Sequence, residues 1–383
     1  MSTNTRSGFP RRLTKRLKRD LDLYPVVAVF GARQVGKTTL ARDIGSERGF
    51  SYITLDDRTV RTQAMEDPEG LLASVAHHGA VIDEVQRSPD LLLALKSVVD
   101  REQEIGRFIL TGSNQPRLSA SVADSLLGRV AYRTLRPLTI SEQRFEDEQH
   151  RWDWFFDSDS AKLESDLAEA GALNGPVDWS EAVAAGGMPR ALAAGPRERA
   201  QVLEDYARTF ASRDVRDVLG VESTERFEAF LRLTAARTAQ ELNMSRMSSD
   251  LGESVSTVRR WIDALERSYL VTRIPPFSRN AGSRVTKTPK TFLVDSGLAM
   301  VAARERAPGG AHFETLILND LLVWRDDAPN RSVSYWKIHS GPEVDFIVER
   351  DGRLVAIEAK AADSISRHDA RHISPAAPWW AVL

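Results

Sequence analysis

The chain has 383 residues, 42% of them apolar, and its 52 basic and 54 acidic side chains leave a formal charge of -2. That length predicts two or three domains with cores of their own, and the near-neutral balance means that any nucleic-acid surface has to be local. The absence of cysteine excludes disulfides, zinc–thiolate sites and cysteine nucleophiles and fits a cytoplasmic protein, and no apolar stretch approaches the roughly 20 residues that span a bilayer.

Val26, Val27, Ala28, Val29 and Phe30 form a β-branched apolar run that predicts a buried parallel strand. It leads at once into Gly31-Ala32-Arg33-Gln34-Val35-Gly36-Lys37-Thr38-Thr39 and a helical stretch. This is GxxxxGKT in a strand–loop–helix context. The glycines let backbone N–H groups close around phosphate oxygens, Lys37 reaches the terminal phosphates of ATP, and the Thr38 hydroxyl ligates Mg²⁺ at a helix N-terminus.

A second predicted strand, Tyr52 to Leu55, ends at Asp56-Asp57, and a third, Ala80 to Ile82, ends at Asp83-Glu84. The apolar run before Asp83 puts its carboxylate at the C-terminal edge of the sheet, beside the phosphate loop, where it can hold the ATP-bound Mg²⁺; Glu84 can then polarise the attacking water. A fourth strand, Arg107 to Leu110, runs into Thr111-Gly112-Ser113-Asn114, and Asn114 is the expected γ-phosphate sensor, against the alternative of a simple turn. The catalytic set is therefore Lys37, Glu84 and Asn114. Alternating strands and helices through Glu142 predict an α/β fold, a parallel sheet with helices on both faces. Arg129 is either an arginine finger or a surface ion-pair partner.

From Arg151 to Ala236 the pattern is helical, broken by Gly186-Gly187-Met188-Pro189 as a turn. Tyr206 to Val218 reads as an amphipathic helix of ion pairs, with Arg213 the one candidate for a neighbouring nucleotide site. Met247 to Glu266 then predicts a helix, a short turn and a second helix that opens at Ser256 and buries Val258, Ile262 and Leu265. Tyr269-Leu270-Val271 and Thr291 to Val294 would supply the strands of a wing. Arg259, Arg260 and Arg267 could touch DNA phosphates, although Asp263 and Glu266 share their helix.

Glu343 to Lys360 predicts a hairpin around an Asp351-Gly352 turn, with Arg350 opposite Arg353, Asp345 opposite Glu358 and Glu343 opposite Lys360. Val344, Phe346, Val348, Val355, Ile357 and Ala359 would form the apolar face. Opposed carboxylates are unfavourable without a cation between them, and a divalent metal on Asp345 and Glu358, with Lys360 beside it, would supply one. The arrangement Asp…Glu-x-Lys resembles the catalytic core of restriction-endonuclease-like proteins. In those the first acidic residue comes from a preceding helix, for which Glu314 in His312 to Val323 is the match.

Together, Gly31 to Thr38, Leu55-Asp56-Asp57, Ile82 to Gln86, Leu110 to Ser113, Glu343 to Phe346 and Ile357 to Lys360 resemble a prokaryotic family of AAA-type P-loop ATPases. Its members carry a C-terminal domain of unknown function with a restriction-endonuclease-like core. The resemblance implies an ATPase domain over 1–150, a helical lid or linker over 151–236, a winged-helix-like region over 237–295 and a small α+β nuclease-like domain over 296–383. It implies ATP and Mg²⁺ as cofactors, a homo-oligomer that completes its sites between subunits, and DNA, RNA or a protein as partner. The functions in contention are an ATPase that moves its later domains on nucleic acid, an ATP-gated metal-dependent nuclease, and a nucleotide-switched binding regulator. Similar proteins continue beyond Lys360 through further strands and a helix, so a nuclease-like fold that ends within about 25 residues of it is expected to expose an edge.

Overall fold

The computed structural model describes residues 8–76, 78–114, 128–146, 151–157, 177–214, 224–278, 288–337, 341–362 and 380–382. They divide into two compact units, residues 1–136 with 267–269, and residues 137–266 with 270–383.

The first unit is built on five parallel strands, β1 (Val26–Phe30), β2 (Ser51–Thr54), β3 (Ala80–Asp83), β4 (Phe108–Gly112) and β5 (Val130–Thr134), in the order β2-β3-β4-β1-β5. Strands β1, β3 and β4 are buried at every residue, which is why they read as unbroken apolar runs and not as alternations. Alternate side chains point to opposite faces. Val26, Ala28, Phe30, Ala80, Ile82, Phe108 and Leu110 pack with the helices Arg58–Glu66, Pro68–Ala76 and Pro89–Glu102. On the other face lies the helix Lys37–Glu47, where Gly45 lets the backbone approach Val81; a Cβ there would sit 2.5 Å from the Val81 side chain. The expected parallel sheet with both faces covered is thus present, and β4 lies between the strand that feeds the phosphate loop and the strand that ends in Asp83.

In the second unit the break at Gly186-Gly187-Met188-Pro189 separates the helices Trp179–Ala185 and Pro189–Ala194. A buried carboxylate fixes it: Asp295 accepts hydrogen bonds from Gly187 N (2.5 Å) and, as the cap of Ser296–Ala303, from Leu298 N (2.8 Å). Of the amphipathic helix expected over Tyr206 to Val218, Arg199–Thr209 is α-helical and Phe210–Asp214 a π-turn; residues 215–218 lie outside the described residues, as does the side chain of Arg213.

Next come the helix Thr224–Ala236, the short strand β6 (Gln240–Glu241), the helices Met244–Leu251 and Val255–Arg267, and the strands β7 (Val271–Ile274) and β8 (Lys290–Leu293). The strands pair antiparallel in the order β6-β8-β7. The second helix opens one residue earlier than Ser256, at Val255, because Ser254 caps it by accepting from Thr257 N at 3.0 Å. It buries Val258, Ile262 and Leu265, as its spacing predicts, and Trp261 besides, which packs on Phe227 and Phe230 at centroid distances of 5.6 and 5.1 Å.

The last layer is a sheet ordered β12-β11-β10-β9, from β9 (Arg331–Lys337), β10 (Glu343–Arg350), β11 (Arg353–Glu358) and β12 (Trp380–Val382), with the helix Gly310–Asp326 against it. The β10–β11 hairpin has the register read from the sequence, Arg350 opposite Arg353 and Phe346 opposite Ile357, with Asp351 and Gly352 at φ +53° and +76°, as a two-residue turn requires. Two expectations change. The β10–β9 ladder shifts register between Val344 and Ile347, so Val344 packs with Ile347 and Ala356 and not with Phe346, an irregularity no alternation pattern reveals. The edge expected after Lys360 does not fall at β11, which pairs in parallel with β12.

Trp324 anchors the core of this sheet. It is fully buried, stacks on Phe156 at 5.6 Å and donates from Nε1 to Asp153 Oδ1 at 2.9 Å. Trp324→Ala is expected to lower stability by about 3–5 kcal/mol in urea unfolding followed by circular dichroism, and a loss below about 1 kcal/mol would contradict that anchoring role.

Candidate active site

The phosphate loop joins β1 to the helix Lys37–Glu47, and its backbone needs its glycines. Gly31 lies so close to the chain after β5 that a Cβ would stand 2.2 Å from Leu135 O, and Gly36 has φ +98°. Gln34 also takes a left-handed conformation, φ +62°. From outside the loop, Arg11 donates to Val35 O at 2.6 Å and to Arg136 O, tying the loop to the end of the unit. Lys37 is 5% exposed and donates from Nζ to Gly31 O (3.0 Å) and Ala32 O (2.8 Å). Burial brings its pKa down to about 8, against the opposing pull of Glu84 and Asp83.

Asp83, at the end of β3, accepts from three hydroxyls on three elements: Thr38 Oγ1 at 2.9 Å, Tyr52 at 2.8 Å and Thr111. The expected meeting of Thr38 with Asp83 is therefore present. Tyr52 and Thr111 are not singled out in the sequence; Thr111 follows the apolar run of β4, a signal that could have found it, whereas Tyr52 lies near the start of the half-buried β2. Burial and the bond to Asp83 raise the Tyr52 pKa, and Arg42 stacks 3.7 Å from the Tyr52 ring.

Glu84 has φ +59°, a left-handed conformation costly for a side chain of its kind. Its Oε2 accepts from Gln86 Nε2 and, at 3.3 Å, from Ser113 Oγ, and Gln86 Nε2 also lies 3.2 Å from Ser113 Oγ. Gly112 makes room for this bridge, since a Cβ there would meet Gln86 Oε1 at 2.6 Å. Thus the residues at the tip of β4 that reach the carboxylates are Thr111 and Ser113, and Asn114, half-buried, follows them in the chain. Arg33 is half-buried, Gln34 and Thr39 are exposed, and Arg129 forms an ion pair with Asp100. The donor set fits Mg²⁺ bound with ATP: a hydroxyl and a carboxylate already in contact, beside a buried ammonium and a loop of backbone N–H groups.

In the second unit the residues singled out in the hairpin do converge, around an ammonium group not identified from the sequence. Lys290 of β8, 3% exposed, lies 3.3 Å from Glu314 Oε2 and 3.7 Å from Asp345 Oδ1 and forms an ion pair with Glu343. Lys337 holds the second oxygen of Glu343 at 3.1 Å. Asp345 Oδ2 accepts from Ala359 N at 3.0 Å, and Lys360 pairs with Glu358 Oε1 at 2.6 Å. Burial first, then the Asp345 charge, pushes Glu314 up to about 8; Asp345 and Glu358 are also raised, chiefly by burial. Burial would raise Glu343 too, but Lys290 and Lys337 bring it below its usual value. Among the described residues no group of three or more His, Asp or Glu side chains is spaced to hold a metal ion.

Residues 23–143 match the AAA domain family, residues 177–308 a domain of unknown function (DUF8612), and residues 309–378 another (DUF4143). The uncharacterized protein Rv2008c of Mycobacterium tuberculosis and its Mycobacterium bovis counterpart are each 30% identical over 371 residues, covering 93% of this chain and 75% of theirs. An uncharacterized Haemophilus influenzae protein is 23% identical over 66% of this chain and 58% of its own. Among solved structures, the Walker-type ATPase PABY2304 of Pyrococcus abyssi aligns with a TM-score of 0.43 and 16% identity, over 79% of this chain and 97% of that one. The RuvB Holliday junction branch migration motor of Thermotoga maritima aligns at 0.32 and 17%, over 73% and 95%. Both scores are low, and the fold assignment rests on the strand order, the phosphate loop and the AAA-domain match. The first unit has the P-loop NTPase fold and matches the AAA domain family, and the chain belongs to the same family as the uncharacterized protein Rv2008c of Mycobacterium tuberculosis.

Proposed function

We propose that the protein is a Mg²⁺-dependent ATPase whose nucleotide state drives its later domains on nucleic acid. The observation that carries this reading is the contact of Thr38 with Asp83, 2.9 Å apart, beside the buried Lys37 and one residue before Glu84. The loop N–H groups and Lys37 bind and orient the phosphates. Thr38 and Asp83 would hold the metal, which would supply neutralisation of the phosphate charge. Glu84, released from Gln86 and Ser113, accepts a hydrogen bond from the attacking water, with Asn114 at the strand tip as the sensor of the γ-phosphate.

Two features support a nucleic-acid partner. The helix–strand–helix–helix–strand–strand order from Thr224 to Leu293 is that of a winged helix, and Arg259 and Arg260 are exposed on its last helix. The acids on that helix are offset, since Asp263 and Glu266 both pair with Arg273, whose pKa rises chiefly through its bond to Glu266. The C-terminal sheet is read as a scaffold without nuclease activity, because Lys290 supplies the cation that Asp345 and its neighbours need.

Lys37→Ala is expected to lower ATP turnover at least about 100-fold, whereas Glu84→Gln should keep ATP binding and lose turnover; full activity in either variant contradicts the site. DNA or RNA should stimulate the wild type, and equal rates with and without both would remove the nucleic-acid part of the reading. The pH dependence follows from Lys37. Its ammonium is half-titrated at about 8 in the free protein, and bound phosphate raises that value, so binding takes up a proton above it. The ATP dissociation constant, by fluorescent-nucleotide titration, should therefore be flat near pH 7 and weaken by up to about tenfold per pH unit above about 8. Lys37→Arg should flatten the profile, and a wild-type profile flat to pH 10 would contradict the burial argument.

A further inference from the structure

Five carboxylates and three lysines meet on one side of the C-terminal sheet, in Glu241, Glu314, Glu343, Asp345, Glu358, Lys290, Lys337 and Lys360. Their pairing is uneven. Lys360 pairs with Glu358 and also attracts Asp345, Lys337 pairs with Glu241 and Glu343, and Lys290 reaches Glu314, Glu343 and Asp345. Lys290 is the central cation: it is 3% exposed, reaches carboxylates from β10 and from the helix Gly310–Asp326, and has the Tyr335 ring 5.6 Å from its Nζ. Opposed buried carboxylates need such a charge, because without one their repulsion and desolvation would have to be met by protons or by the loss of the fold.

We propose that Lys290 is the resident cation of this cluster, standing in for a divalent metal and keeping the C-terminal domain metal-free. Three observations support it. Lys290 Nζ is within ion-pair reach of three carboxylates at once, Glu314 at 3.3 Å, Asp345 at 3.7 Å and Glu343, the place that a shared cation would take. Glu358 Oε2, buried in a residue only 5% exposed, has no hydrogen-bond partner among the described residues, so one acceptor next to Asp345 is left over. Lys290 and Glu343 also line a cavity of about 400 Å³ together with Arg237, Asn243, Arg246 and Lys337, so Lys290 stands at the edge of the cluster that faces open space.

Lys290→Met keeps most of the stem and removes the charge, leaving Glu314, Asp345 and Glu358 free to close on an added ion. The inference is independent of the ATPase reading, because it concerns the second unit and needs no nucleotide.

The test is Mn²⁺ binding to the full chain without nucleotide, by the electron paramagnetic resonance signal of free Mn²⁺. Any ion at the phosphate loop is common to all variants and cancels. Lys290→Met is expected to bind one more Mn²⁺ per chain than wild type, Lys290→Arg none more, and Lys290→Met with Asp345→Asn should lose the gain. Wild-type binding that Asp345→Asn abolishes would overturn the proposal, and so would a folded Lys290→Met with no gain. If Lys290→Met unfolds on its own, added Mn²⁺ should raise its melting temperature, and no rise would overturn the proposal too.

Discussion

The carboxylate of Asp83 ends a buried strand where three hydroxyls from three separate segments reach it. Thr38 comes from the first turn after the phosphate loop, Tyr52 from the neighbouring β2, and Thr111 from β4 on the other side. An isolated carboxylate that is 6% exposed would be costly, and this ring of donors is what makes its burial tolerable. The same bonds hold the loop, the sheet edge and Glu84 in register, so the geometry of the nucleotide site follows from the strand order β2-β3-β4-β1-β5.

The second unit meets the same constraint differently. In the cluster on β10, β11 and the helix Gly310–Asp326, ammonium groups face the buried carboxylates, with the Ala359 N–H on Asp345. The choice matters for chemistry. A hydroxyl bonded to a carboxylate exchanges readily for a metal-bound water, whereas an ion-paired lysine in a site 3% exposed does not. On the proposed reading, one unit would accept Mg²⁺ with its nucleotide, and in the other Lys290 would take the place of a cation.

The phosphate loop, Asp83-Glu84 and the hairpin register were legible because each is local: a motif of fixed spacing, an apolar run with polar residues at its end, and a turn of two residues. Even the need for a cation between Asp345 and its neighbours could be read from opposed like charges. Its source could not, because Lys290 lies more than fifty residues upstream in a strand whose only sequence signal is Thr291 to Val294. Tyr52, Gln86 and Ser113 were missed for the same reason: single polar residues acquire a role only when the sheet brings their strands together. The β10 bulge that moves Val344 out of the main apolar face is likewise a consequence of pairing with β9, invisible in either strand alone.

The claim on which the rest depends is that Asp83, held by Thr38, Tyr52 and Thr111, is the metal-binding carboxylate of a hydrolytic site. The most direct measurement is the Mg²⁺ dependence of steady-state ATP turnover by wild type and Asp83→Asn, with folding of the variant checked by circular dichroism. The account predicts turnover that requires Mg²⁺ and falls by about 100-fold or more in the variant, equivalent to roughly 3 kcal/mol of transition-state stabilisation. Turnover that persists without divalent metal, or that Asp83→Asn leaves unchanged, would contradict it.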